Sequence, residues 1–258
     1  MIELTTLFSG SEGNSTLIKT ENTAVLIDAG RSCKAVCEAL AKLGMTLDDI
    51  KAIFITHEHS DHISALDVMM RKKQIPIHIT APSARALANK RSAAECAVIH
   101  NELAYTVRVG DLTLTSFPLP HDSAAHVGYV ARCDDGDCAG VATDMGYPTR
   151  LCFDSLKCCR QAVLEANHDR VMLENGPYPR ALKDRIRSKW GHLSNNDCAQ
   201  LIMGLCECGM EKIMLAHLSQ DNNTPDCARN TINECLCRCG LSEKVTLKVA
   251  WRDGPRTL

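Results

Sequence analysis

Apolar residues along this chain gather in short runs that stop at a polar or charged residue, and the stretches between many of those runs carry helical periodicity. Residues 2–8, 16–19, 24–27, the run ending at Ile55, 77–79, 127–132, 139–143, 212–215 and 245–251 read as strands. Residues 107–117 read as two strands around Gly110-Asp111, and another apolar run ends at 164–168. Helical spacing covers 32–43, 63–72, 83 to about 90, 180–189, 195–208 and 225–239, while 92–102 fits either state. Strands alternating with helices predict a layered α/β fold. No long linker, low-complexity tract or clear repeat interrupts the pattern, so the expectation is one domain over residues 1–258.

The polar ends of these runs carry the chemistry. The run through Ile53-Phe54-Ile55 stops at Thr56-His57-Glu58-His59-Ser60-Asp61-His62 and then turns helical. Alternate side chains of an extended segment point the same way, so His57 and His59 face one ion while Glu58 points elsewhere. Asp61 and His62 are adjacent and diverge, which places them for a second ion. Imidazole and carboxylate ligands suit zinc, manganese or iron, and the lack of thiolate here argues for an open catalytic site over a closed structural one.

Asp28 and Asp144 each stand at the end of an apolar strand, where α/β sheets collect functional groups. Asp28 also fits the cap of the following helix. His121 follows a strand and the rigid Pro118-Leu119-Pro120, well placed as a further ligand. The loop Ser9-Gly10-Ser11-Glu12-Gly13-Asn14-Ser15 suits either a phosphate or a plain hairpin turn. Arg180, Lys183, Arg185, Arg187 and Lys189 form the densest basic run, readable as a solvated helix face or as a grip on a phosphate backbone.

Composition narrows the setting. An apolar fraction of 45% supports a full core, and a net charge of −2 provides no global positive field, so any nucleic-acid contact rests on a local patch. No apolar run approaches the roughly 18 residues that span a bilayer, and the first residues do not resemble a signal peptide, so the expected location is the cytoplasm, with no membrane partner. The fifteen cysteines show no paired CxxC spacing. An odd count in a reducing compartment reads as free thiols used as small buried apolar residues.

The order Asp28, His57-x-His59-x-Asp61-His62, His121, Asp144 and His217 resembles the five motifs of the metallo-β-lactamase fold. The resemblance implies a four-layer αβ/βα sandwich with two divalent metals at one edge of its sheets. It implies His57, His59 and His121 on the first ion, Asp61, His62 and His217 on the second, Asp144 bridging them, and Asp28 behind a ligand histidine, orienting it. The Ser9–Ser15 loop, Asp28-Ala29-Gly30, Glu165-Ala166-Asn167-His168-Asp169, Gly191-His192-Leu193-Ser194-Asn195 and Ala216-His217-Leu218-Ser219 are similar to the YycJ/WalJ group.

That group implies a 5′-to-3′ DNA exonuclease in which a metal-bridging hydroxide attacks phosphorus. Asp61 would help orient it and His192 would stabilise the phosphoryl charge or protonate the leaving group. Ser9, Gly10, Ser11, Asn14, Asn167, His168 and His192 are the expected substrate residues. The chain is also similar to ribonucleases J and Z in keeping an acid at the bridging position, but it has no room between Asp144 and Gly191 for an inserted β-CASP domain. The same metals would also serve hydrolysis of a thioester, lactone or β-lactam. A non-hydrolytic diiron redox protein and a regulatory protein are more remote: His59 stands where the former carries Glu, and the ligand set is intact.

Overall fold

The structure is a computed structural model that describes residues 1–258. Strands β1 (Glu3–Phe8), β2 (Ser15–Lys19), β3 (Ala24–Ile27), β4 (Ile50–Phe54), β5 (Ile77–Thr80) and β6 (Ala97–His100) build the first sheet. Strands β7 (Thr106–Val109), β8 (Leu112–Pro118), β9 (Val127–Cys133), β10 (Cys138–Ala142), β11 (Gln161–Glu165), β12 (Lys212–Ala216) and β13 (Thr246–Val249) build the second. The chain then returns to the first sheet as β14 (Asp253–Thr257), antiparallel to β1. Each sheet is antiparallel in one half, from β14 to β3 and from β7 to β10, and parallel in the other, from β3 to β6 and from β10 to β13. The two sheets therefore repeat one pairing scheme that leaves no trace as a sequence repeat.

The helices are α1 (Cys33–Lys42), α2 (Ser60–Ile63), α3 (Leu66–Lys72), α4 (Ala81–Ala84), α5 (Arg91–Glu95), α6 (Arg150–Leu156), α7 (Arg170–Asn175), α8 (Arg180–Arg187), α9 (Asn195–Glu207) and α10 (Pro225–Arg238). None is long and apolar enough to cross a membrane. Strand faces explain the layering. In β3 and β4, Leu26 and Ile53 pack with Val36 and Leu40 of α1 and Leu66 of α3, while Val25, Ile27 and Phe54 face the other sheet. In β11 and β12, Leu164 and Ile213 pack with Ile202 of α9 and Ile232 of α10, while Val163 and Met214 point inward. Both faces of these strands are buried, which is why they read as unbroken apolar runs rather than alternations. The result is the four-layer sandwich, helices outside and sheets inside.

Four local readings are corrected or completed. The helix expected over 63–72 is split into α2 and α3, because the chain there is stitched to the turn after β3: Ala29 N–H donates to the His62 carbonyl (2.8 Å) and Ala65 N–H to the Ala29 carbonyl (3.0 Å). The helix expected from 83 is only α4 followed by one 3-10 turn at Arg85–Leu87. Residues 92–102 are both things in turn, α5 and then β6. The strand expected over 245–251 is β13, and a further strand, β14, follows outside that range on the other sheet; Gly254 and Pro255 disguise it, and it tolerates them as an edge strand.

Candidate active site at the strand ends

The carboxyl ends of β3, β4, β8, β10, β11 and β12 converge, and each delivers at least one polar side chain to the same place. Asp28 follows β3, His57 to His62 follow β4, His121 follows β8, Asp144 follows β10, Glu165 ends β11 and His217 follows β12. Asp28, Asp144 and His217 adopt the left-handed backbone conformation, with φ of 61°, 57° and 56°. That conformation is uncommon for residues with a side chain and costs roughly 1–3 kcal/mol each, so three strand-end cases mark a geometry that packing must enforce. At His217 the enforcement is visible. Its backbone N–H donates to Ser9 Oγ (2.7 Å), and its carbonyl accepts from Asn167 Nδ2 (2.8 Å).

The seven expected ligands are brought together. The donor atoms of His57, His59 and His121 form one group, and those of Asp61, His62 and His217 another, all within 4.8 Å of each other in each group. Asp144 touches both halves. Its Oδ2 is 3.5 Å from His62 Nε2, its Oδ1 is 3.3 Å from His217 Nε2, and it also groups with His57.

Four imidazoles each commit Nδ1 to the protein. His57 Nδ1 is 3.0 Å from Thr56 Oγ1, His62 Nδ1 is 2.7 Å from Asp28 Oδ2, His121 Nδ1 is 3.2 Å from the Gly191 carbonyl, and His217 Nδ1 is 3.0 Å from Glu165 Oε1. This is the outer support that sets tautomer and ring orientation in metal sites and leaves Nε2 free. His57 Nε2, His217 Nε2 and Asp144 Oδ2 are buried without any hydrogen-bond partner. Buried polar atoms are rarely left so, and cations held by the two ligand groups would satisfy all three. The donor set, imidazole and carboxylate without sulfur, fits divalent ions of the zinc, manganese or iron type.

Electrostatics points the same way. Burial pushes His57 well below its usual range and lowers His121, which keeps both imidazoles neutral, the form that ligates. Burial opposes ionisation of Asp144, yet the imidazoles of His217, His62 and His57 outweigh it and hold the carboxyl well below its ordinary range. Burial also opposes a proton on His62, but Asp28 and Asp144 overcome it and raise the ring well above its usual value. Carboxylates that favour a proton there favour a metal cation in its place.

Asp28 stands behind His62, its other oxygen accepting from the Thr56 backbone N–H (2.8 Å). Glu58 points away, as alternation requires, accepting from Ser83 and from the Ala124 N–H. His192, on the loop between α8 and α9, reaches the rim with its side chain 20% exposed, and its Nδ1 lies 2.8 Å from Glu165 Oε1.

Glu165 is the residue that sequence reasoning named within a motif but gave no role. It is fully buried, its Oε1 is shared by His192 and His217, and its Oε2 accepts from the Met145 N–H (2.7 Å). Burial works against its charge, but His192 and His217 hold its carboxyl down to about 2. The signal was present: like Asp28 and Asp144, it is an acid closing an apolar strand. His126 was missed altogether. It is buried edge-on against His57 with centroids 4.6 Å apart, and its Nε2 lies 2.7 Å from the Thr143 carbonyl.

The expected substrate residues divide. Ser9, Asn14 and Asn167 are buried and are spent on the ligand scaffold: Asn14 Nδ2 donates to the Gly10 carbonyl (3.1 Å) and Asp61 Oδ2 (3.2 Å), and Ser9 and Asn167 strap His217. That placement gives all three a role in holding the ligand residues, and Ser9 also borders the pocket lined by Gly10 and Ser11. Gly10 and exposed Ser11 line a pocket of about 260 Å³ with Leu218, Ser219 and Arg252. His168 and His192 line a second, of about 350 Å³, with Gly146, Arg170, Arg187 and Ser194. The basic run proves largely ion-paired: Arg180 with Asp184, Arg185 with Asp122, and Arg187 with Glu174.

Comparison with known proteins agrees with the geometry. Residues 23–218 match the family described as Beta-lactamase superfamily domain. The chain is 34% identical over 246 residues to exodeoxyribonuclease WalJ of Streptococcus pneumoniae, covering 94% of this chain and 91% of the relative. It is 32% identical over 241 residues to exodeoxyribonuclease YycJ of Bacillus anthracis, covering 91% and 89%. Among solved structures, the metallo-β-lactamase fold protein YhfI of Bacillus subtilis superposes with a TM-score of 0.70 at 15% identity, covering 99% of this chain and 100% of that one. From polar residues assembled at six strand ends, and from likeness along nearly the whole chain, it follows that this protein belongs to the beta-lactamase superfamily, in its metallo-β-lactamase-fold branch alongside the WalJ and YycJ exodeoxyribonucleases.

Proposed function

We propose that this protein is a metal-dependent phosphodiesterase that degrades DNA stepwise from the 5′ end. The observation that carries the reading is the pairing of His192 with Glu165, an oriented imidazole beside the ligand cluster, in a chain similar along nearly its full length to two exodeoxyribonucleases. His57, His59 and His121 would hold one divalent ion, Asp61, His62 and His217 a second, with Asp144 between them; zinc, manganese and iron suit the donors. When bound, the ions supply Lewis acidity toward phosphoryl oxygens and lower the pKa of water at the site.

The rest is done by the chain. Asp61, its side chain 22% exposed, presents a carboxylate oxygen to the open side, steadied by Asn14, and orients the attacking water. His192 has Nδ1 held by Glu165, so Nε2 faces the substrate to stabilise phosphoryl charge or protonate the departing oxygen. The pocket bearing Arg170 and Arg187 supplies local positive charge on a molecule of net charge −2. Residues between Asp144 and Gly191 are taken up by β11 and α6 to α8, which supports a single unit acting without an inserted clamp domain.

The test is hydrolysis of 5′-phosphorylated single- and double-stranded DNA by metal-loaded protein, with Asp61→Ala as the blank. Stepwise nucleotide release from the 5′ end, absent in the blank, is the expected result. Turnover of a thioester or lactone with no DNA cleavage under any of the three metals would overturn the nuclease assignment.

A further inference from the structure

A second cluster of ligand chemistry lies at the opposite ends of the same strands. Cys138 opens β10, whereas Asp144 follows that strand's far end; Cys158 and Cys159 sit in the turn between α6 and β11, whereas Glu165 closes β11. The three sulfurs converge. Cys138 Sγ is 3.4 Å from Cys159 Sγ and 3.8 Å from Cys158 Sγ, and all three lie within 4.8 Å of one another. Three thiolates sharing one zinc-type ion at about 2.3 Å, with tetrahedral angles, stand about 3.8 Å apart. A disulfide would instead require about 2.05 Å.

Two further features suit a metal. Cys138 and Cys159 are each only 2% exposed, but Cys158 is exposed, so the group has a buried floor and an open side through which an ion enters and a water completes four ligands. Arg132, paired with Cys138 across the β9–β10 ladder, points Nη2 at Cys158 Sγ (3.4 Å). One guanidinium balances the single negative charge left when three thiolates bind a divalent ion.

We infer that Cys138, Cys158 and Cys159 form a thiolate site for a zinc-class divalent ion, separate from the catalytic centre, that ties the α6–β11 turn to the start of β10. Binding releases the three thiol protons to solvent. Because the site sits at the far end of the sheet, the inference stands independently of the reaction proposed above.

Cobalt(II) distinguishes it. Loaded into the full-length protein, cobalt gives a thiolate-to-metal charge-transfer absorption only where sulfur is a ligand, and the histidine and carboxylate centre has none. The band is expected in the unmodified protein, is expected to survive His57→Ala combined with Asp61→Ala, and is expected to disappear in Cys158→Ser, an exposed position that the fold tolerates. Zinc-loaded Cys158→Ser should carry one equivalent less metal than the unmodified protein while still cleaving substrate. Absence of the band, its persistence in both Cys158→Ser and Cys138→Ser, or a Cys138–Cys159 disulfide that forms equally with and without zinc would each overturn the site.

Discussion

At the scale of single residues, each supported ligand histidine has one ring nitrogen committed to the protein and the other turned to the centre, so its partner matters nearly as much as the ligand. Asp28 holds His62 and also accepts from Thr56. Asp28→Asn removes the charge while keeping the shape, and is expected to weaken metal affinity by about 10- to 100-fold, read by competition against a chelator. Glu165 does the same for two rings at once. His192→Ala is expected to lower kcat by about 10²-fold or more with metal content unchanged, a result checked by turnover beside metal analysis; unchanged turnover would remove His192 from the mechanism. Glu165→Gln should lower turnover too, but with a loss of metal that His192→Ala does not share, because His217 depends on the same carboxylate.

Among elements, the site depends on how closely two turns approach. The Asp28-Ala29-Gly30 turn after β3 and the break between α2 and α3 exchange backbone hydrogen bonds, and a Cβ at Gly30 would lie 1.9 Å from the Asp61 carbonyl oxygen and 2.5 Å from the Asn14 nitrogen. Both obstacles are backbone, so neither can swing aside. Gly30→Ala is therefore expected to cost about 3 kcal/mol or more, seen as a lowered unfolding midpoint, and to impair metal binding because Asp61 itself must shift. The basic helix α8, readable from sequence as a solvated face or as a phosphate grip, shows features of both. Arg180, Arg185 and Arg187 are tied to acids, and Arg187 is the member that also lines the pocket beside His192.

For the whole molecule, two sheets with one pairing scheme place their functional ends side by side, so the candidate ligands come from four strand ends spread from His57 to His217, and two more ends supply Asp28 and Glu165 behind them. Binding that draws on both sheets should stabilise the entire sandwich. Stripping the metals with a chelator is expected to lower the unfolding temperature by several degrees, since each ion present at a hundredfold its Kd contributes about 2.7 kcal/mol; a midpoint unmoved by chelation and reloading would count against ligation across the sheets. The sequence by itself determined most of the elements and the chemistry of their ends. Apolar runs stopping at Asp28, His57 and Asp144 carried strand, boundary and site residue in one short pattern, because burial on both faces and the polar exit are local properties of a strand. Only the tertiary structure decided which ends meet. The sharing of Glu165 by His192 and His217, the strapping of His217 by Ser9 and Asn167, the return of β14 to the first sheet and the convergence of Cys138 with Cys158 and Cys159 are contacts between distant segments. Hydrophobic periodicity says which face is buried but nothing about the partner it is buried against.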